Sequence, residues 1–320
     1  MRNPWKLFVV VAVVVVAASF VGCSKQRSAG KKGAAENPWV IGMSQCNRGE
    51  PWRVQMDADI KAAAEAHPEV KVLFKDAQNK ETIQQDQVGE FVAQGVDLII
   101  ISPKESRPLT KPVADAMAAG IPVIVLDRKV EGDKYTCFIG ADNVLIGRKA
   151  GEYIVKKLGG KGKVVELQGL MTSTPGQERH NGFLEGIKGS GIEVVFAADC
   201  AWLEDNAQRE MKSALSRFAE IDAVYGHNDP SAHGAYLVTK QEGKGREKQI
   251  EFVGIDALPH EGVRYVREGI LSATFQYPTG GPEAIETAIK ILKGEQVEKN
   301  ITLGTKIYTM DNVGKGGEGL

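Results

Sequence analysis

The run Ile121-Pro-Val-Ile-Val-Leu-Asp-Arg128 constrains the fold more than any other stretch of this chain. It follows a helix stop, Ala118-Ala119-Gly120, and its apolar, mostly β-branched residues end abruptly in a carboxylate and a guanidinium. A continuous apolar run this short reads as a strand covered on both faces, as in a parallel sheet flanked by helices. Ligands of such sheets sit in the crevice beyond the carboxyl ends of the strands. Asp127 and Arg128 stand at that end, which makes them the first candidates for a binding site.

The same alternation runs through the chain. Strand-like runs at 40–44, 70–74, 96–101 and 135–140 alternate with helical stripes such as Trp52, Met56, Ile60 and Ala63, closed by His67-Pro68. Thr82 is placed to cap a helix carrying Ile83, Val88, Phe91 and Val92, and Gly95 to stop it. Asp142 or Asn143 can cap the helix that closes on Gly159-Gly160. The pattern then restarts, with strands at 163–167, 192–198, 222–225, 250–255 and 271–275, a long helix at 282–292 and an extended tail at 301–308. Two consecutive βα series predict an α/β protein of two doubly wound parallel-sheet lobes. The first series hands over at Ala141-Asp142, and the last helix, lacking a strand of its own, is expected to return to the first lobe. The expected boundaries are 37–141 plus 277–304 for the N-terminal lobe and 142–276 plus 305–320 for the C-terminal lobe.

Composition narrows the function. The 320 residues are 42% hydrophobic and 25% charged, with a net charge of −1, enough for two cores and without the basic excess of a nucleic-acid surface. Arg2 and Lys6 flank the start of a nearly all-apolar stretch, 7–21, which leads into Gly22-Cys23. This resembles a lipoprotein signal peptide over 1–23 with Cys23 as the lipid acceptor, although Phe20 stands where Leu is preferred. An uncleaved signal anchor is the alternative, but the apolar stretch falls short of the roughly 20 residues a spanning helix needs. Residues 24–36, polar and rich in Gly, Ala and Lys, read as a flexible tether. The expected location is therefore extracytoplasmic, with membrane attachment through lipid. Cys46, Cys137 and Cys200 remain, compatible with one disulfide and a free thiol; none has metal-ligand spacing, and neither metal nor cofactor is expected.

Polar and aromatic residues gather at the strand ends. After the first strand come Glu50, Trp52 and Arg53; Ser102 follows the third, and Asp127-Arg128 the fourth. In the second series the ends carry Gln168 with Arg179 beyond it, then Trp202, Asn228, Asp256 and Gln276. A sugar would suit them: carboxylates accept from hydroxyls, guanidiniums donate in a planar fork, and indoles lie against C–H faces. Plainer readings stand beside this one. Asp127-Arg128 could be a rim ion pair, Trp52 core, Asp256 a helix cap, Glu50 and Arg53 a solvated pair, and Gln276 a partner for hinge backbone. Enzymatic use of the carboxylates is disfavoured, because flanking arginines are expected to keep their pKa low.

Val123-Ile-Val-Leu-Asp-Arg128, Ala141-Asp-Asn143, Val165-Glu-Leu-Gln-Gly169 with Glu178-Arg179, Asn228-Asp229 and Val253-Gly-Ile-Asp256 resemble, in order and spacing, the type I periplasmic sugar-binding proteins of the ribose-binding class. The resemblance spans nearly everything from Asn37 onwards. It implies two α/β lobes joined by a three-segment hinge and closing over one monosaccharide. It also implies sugar contacts from Asp127, Arg128, Arg179, Asn228, Asp256 and Gln276, with an aromatic contact at Trp202. The first loop departs: Glu50-Pro-Trp-Arg53 replaces the asparagine, proline and paired aromatics of ribose binders and looks more like the galactofuranose-binding branch. A monomeric lipoprotein delivering a hexose or pentose, in a furanose form among others, to an ABC permease is the expectation. A sensory protein presenting ligand to a membrane receptor is the alternative. LacI-type regulators share the fold but begin with a basic helix-turn-helix, where this chain has a signal-like segment.

Overall fold

The computed structural model describes residues 32–320, so the expected signal peptide, Cys23 and residues 24–31 of the expected tether lie outside the described residues. The described end of the tether is held down rather than free. Lys32 pairs with Asp97 at 2.8 Å, and Gly33 lies so close under the Trp39 indole that a Cβ would sit 2.4 Å from its ring.

The first series forms β1 (Trp39–Gln45), α1 (Pro51–Glu65), β2 (Val70–Asp76), α2 (Glu81–Gln94), β3 (Leu98–Ser102), α3 (Ser106–Ala118), β4 (Val123–Leu126) and β5 (Cys137–Ala141). The second forms α4 (Asn143–Lys157), β6 (Lys161–Gln168), α5 (Thr174–Ile187), β7 (Gly191–Asp199), α6 (Glu204–Arg217), β8 (Ala223–Gly226), α7 (Asp229–Gln241), β9 (Glu251–Asp256), α8 (Gly262–Arg267) and β10 (Ala273–Gln276). The chain ends with α9 (Gly281–Leu292), β11 (Asn300–Leu303), β12 (Lys306–Thr309) and β13 (Glu318–Gly319).

One sheet runs β11-β5-β4-β3-β1-β2, all parallel; the other runs β13-β12-β10-β9-β8-β6-β7, with β12 and β13 antiparallel at its edge. The two sheets thus repeat one strand order, β2-β1-β3-β4-β5 and β7-β6-β8-β9-β10, and each reverses its direction of winding beside its first strand, where such sheets open a ligand crevice. The apolar strands are buried on both faces as their composition requires. Leu98 and Ile100 of β3 join one hydrophobic cluster, while Ile99 and Ile101 join the one on the opposite face. The chain passes between the sheets three times, after Ala141, Gln276 and Leu303. The third passage falls inside the extended stretch 301–308, which divides into β11 on one sheet and β12 on the other. Helix α9 packs on α1, returning to the first lobe.

Two local expectations differ. Lys80, not Thr82, stands at the N-cap of α2 and makes no side-chain cap, so the helix begins with Glu81, whose negative charge suits a helix start. Cys46, Cys137 and Cys200 are all free and buried.

Candidate functional site

The crevice ends of both sheets meet over one small cavity, lined by Glu50, Trp52, Arg53, Asp127, Arg128, Pro175, Arg179, Trp202, Asn228, Asp256 and Tyr277. The lining residues among Trp52, Arg53, Asp127, Arg128, Arg179, Trp202, Asn228 and Asp256 are each less than a tenth exposed, so the lobes are shut over it. The backbone is held in unusual conformations here. Asp127 (φ 69°), Trp202 (φ 69°) and Asp256 (φ 126°) all occupy positive φ without being glycine, a strain that concentrates at functional sites.

On the first lobe, β4 delivers Asp127 and the start of α1 delivers Trp52 and Arg53. Arg53 Nη1 lies 2.7 Å from Asp127 Oδ2 and donates to Ser102 Oγ at 2.6 Å, and that hydroxyl donates to Asp127 at 3.2 Å. Burial alone would raise the Asp127 pKa, but the guanidiniums of Arg53 and Arg128 and the hydrogen bond from Arg53 hold it below the usual carboxylate range. Burial likewise opposes the charge on Arg53, and Asp127 more than offsets it. Arg128 donates to the Lys104 carbonyl at 2.9 Å and sits 5.5 Å from the Trp202 ring. Glu50 accepts from Asn47 Nδ2 at 2.8 Å.

On the second lobe, Arg179 of α5 donates through Nε to Asn143 Oδ1 at 2.9 Å and through Nη1 to the His227 carbonyl. Its guanidinium lies 5.3 Å from Trp202 and 4.7 Å from Tyr277. Asn228 caps α7, accepting from Ser231 N at 3.1 Å, and donates to the Trp202 carbonyl at 3.0 Å. Trp202 presses on Gly169, where an added Cβ would come within 2.2 Å of the indole. Beneath these, a buried Glu166 accepts from His227 Nε2 at 2.9 Å and contacts His180 Nδ1 at 2.8 Å. Burial pushes Asp256 well above the ordinary carboxylate pKa, with Arg179 at 3.9 Å too distant to reverse it. The expectation that flanking arginines keep every site carboxylate low therefore holds for Asp127 and fails for Asp256. Arg53 Nε, Arg128 Nε and Trp202 Nε1 are buried donors with no hydrogen-bond partner among the described residues.

Nine of the expected site residues line this cavity, and two do not. Ser102 lies behind it, fully buried, as the hydroxyl that spaces Arg53 and Asp127. Gln276 faces a different cavity, beside Gln55, Asp59 and His260. Its neighbour Tyr277 borders that second cavity too but also lines the site, where Gln276 does not reach. Sequence reasoning also missed Asn143 as the support of Arg179. The available signal was its position at the first passage between the lobes.

Two parallel-sheet lobes, joined by three segments and shut over a polar, aromatic-walled cavity at their strand ends, define a two-lobed small-ligand binding protein. The chain belongs to the periplasmic binding protein family, whose domain model matches residues 41–296. It is 32% identical to the ribose import binding protein RbsB of Bacillus subtilis (strain 168), over 85% of this chain and 87% of that protein. It is 30% identical to the galactofuranose-binding protein YtfQ of Escherichia coli (strain K12), over 93% and 92% respectively. Among solved structures, the fructose-binding periplasmic domain of a hybrid two-component system shares 43% identity at a TM-score of 0.84, covering 87% of this chain and 93% of that one.

Proposed function

We propose that this chain is an extracytoplasmic sugar-binding lipoprotein that captures one monosaccharide between its lobes and hands it to an ABC permease. The observation that carries the reading is the cavity itself: three arginines, two tryptophans and two carboxylates with opposite pKa shifts line one small, polar space between the lobes. The unpartnered buried donors match hydroxyl oxygens, and a carboxyl that keeps its proton can donate as well as accept, as hydroxyl recognition requires. Contacts from both lobes make the shut arrangement the one a ligand stabilises.

A hexose, in a furanose form among others, is the first choice. Glu50 and Arg53 add polar groups to the first loop, and relatives named for galactofuranose and fructose stand beside the ribose binder. These relatives are binding proteins rather than enzymes, and the chain performs no covalent chemistry on its ligand. A thermal-shift screen against D-ribose, D-fructose, D-galactose and other pentoses and hexoses tests the reading. At least one sugar raises the melting temperature, and silence across the panel would sink it.

The hybrid two-component relative favours a second reading, in which the sugar-loaded protein signals to a membrane receptor. Deleting the gene separates the two: loss of sugar uptake supports transport, and loss of a transcriptional response with uptake intact supports sensing. Anchoring through Cys23 rests on the signal-like sequence before it. A Cys23→Ala protein is expected to leave the membrane fraction, and its retention there would refute lipidation.

A further inference from the structure

We propose that Tyr277, on the segment between β10 and α9, sets both the fit of the sugar and the strength of lobe closure; this rests on the sugar-binding reading above. The side chain is 2% exposed and lines the cavity. Its carbonyl accepts from Trp52 Nε1 at 2.8 Å, and its ring lies 5.4 Å from the Trp52 ring. The Arg179 guanidinium packs 4.7 Å from the same ring. Its hydroxyl donates to the Asp127 carbonyl at 3.3 Å and accepts from Asn143 Nδ2 at 3.4 Å. Asn143 in turn holds Arg179. One residue on a connecting segment thus touches Trp52 and Asp127 of the first lobe and Asn143 and Arg179 of the second.

The hydroxyl and the ring do different things. The hydroxyl joins Asp127 to Asn143, and its two hydrogen bonds run to protein atoms. Burial raises its pKa, so it stays protonated and serves as donor and acceptor together. Removing it weakens the shut arrangement alone, and a change in that equilibrium lowers the affinity of every ligand by one common factor. The ring is a wall of the cavity, and removing it changes which ligand fits, so its loss alters the ratio between sugars. The position is also where this chain's site departs from the expected Gln276, an amide that faces the other cavity.

Calorimetric titration of the wild type, Tyr277→Phe and Tyr277→Leu with D-ribose, D-fructose, D-galactose and methyl galactoside tests both roles. Tyr277→Phe should weaken every sugar that the wild type binds by the same factor, on the order of 3- to 10-fold. Tyr277→Leu should shift the ranking toward the bulkier methyl galactoside. Unchanged affinities in Tyr277→Phe, or losses that differ from sugar to sugar, would overturn the closure role. An unaltered ranking in Tyr277→Leu would overturn the wall. A wild type that binds none of these sugars is a separate result, which strikes the sugar-binding reading first and the inference with it.

Discussion

Asp127 and Asp256 both end parallel strands, yet burial treats them oppositely. Arg53 stands 2.7 Å from one and Arg179 3.9 Å from the other, and that distance decides which carboxyl keeps its charge. The sequence places both residues correctly at strand ends but carries no such distance. Asp229, at the start of α7, is the clearest case. It is fully buried, with Thr274 Oγ1 at 2.6 Å and Ala257 N at 2.8 Å, and its pKa is pushed up to about 8, chiefly by burial. Its unfolded value is near 3.9. Between those values the unfolded chain releases a proton that the folded chain keeps, so this group's contribution to stability declines as pH rises from about 4 to about 8. Asp127 and Glu166, whose pKa values are lowered, act in acid instead, losing their contribution as pH falls below the usual carboxylate range. Asp229→Asn mimics the protonated form, and its melting temperature should gain on the wild type steadily from pH 5 to pH 8. A gap that does not change with pH would contradict the assignment.

Elements position these residues through close approach as much as through hydrogen bonds. Helices α4 and α5 meet across glycines: a Cβ at Gly147 would lie 2.3 Å from the Arg179 carbonyl oxygen, and one at Gly182 2.1 Å from that of Val144. The backbone bearing Arg179 is therefore seated directly on α4. In the sequence α4 was marked by its cap at Asp142 or Asn143 and its Gly159-Gly160 stop, but glycine spacing acquires its packing meaning only once the partner helix is known. Helix starts were less legible, as the Thr82 expectation shows, because α2 begins without a side-chain cap. Gly147→Ala should lower stability by about 1–3 kcal/mol through overpacking and weaken sugar binding with it. Gly89→Ala, on the exposed face of α2 with open space around it, should be neutral or stabilising by up to about 1 kcal/mol. Thermal melts of the two variants check this, and equal effects would show that the α4–α5 contact has been misjudged.

At the scale of the whole molecule, the restart of the βα pattern near residue 160 made the two lobes legible, and α9, followed by the tail strand β11, packs on α1 of the first lobe. What stayed hidden is how strand ends from separate sheets converge, since that depends on the three connecting segments and a one-residue difference exchanges Gln276 for Tyr277. The shut arrangement is reinforced at its rim, where Lys129 N donates to Thr174 Oγ1 at 3.0 Å and Lys129 Nζ lies 2.6 Å from Glu178. That ion pair is partly exposed and contributes at most about 1 kcal/mol, so closure rests on the ligand and on the contacts made within the crevice, Tyr277 among them. Asp127 matters at this scale too. Truncating it to alanine would leave Arg53 buried without its partner and cost several kcal/mol of stability, so asparagine, which keeps the shape, isolates the loss of charge. The most direct measurement is calorimetric titration of D-fructose, D-galactose and D-ribose into the wild type and Asp127→Asn. One site per chain that saturates in the wild type and weakens by at least about tenfold in the variant is the expected result, whereas undiminished binding in Asp127→Asn would contradict a sugar held between the lobes.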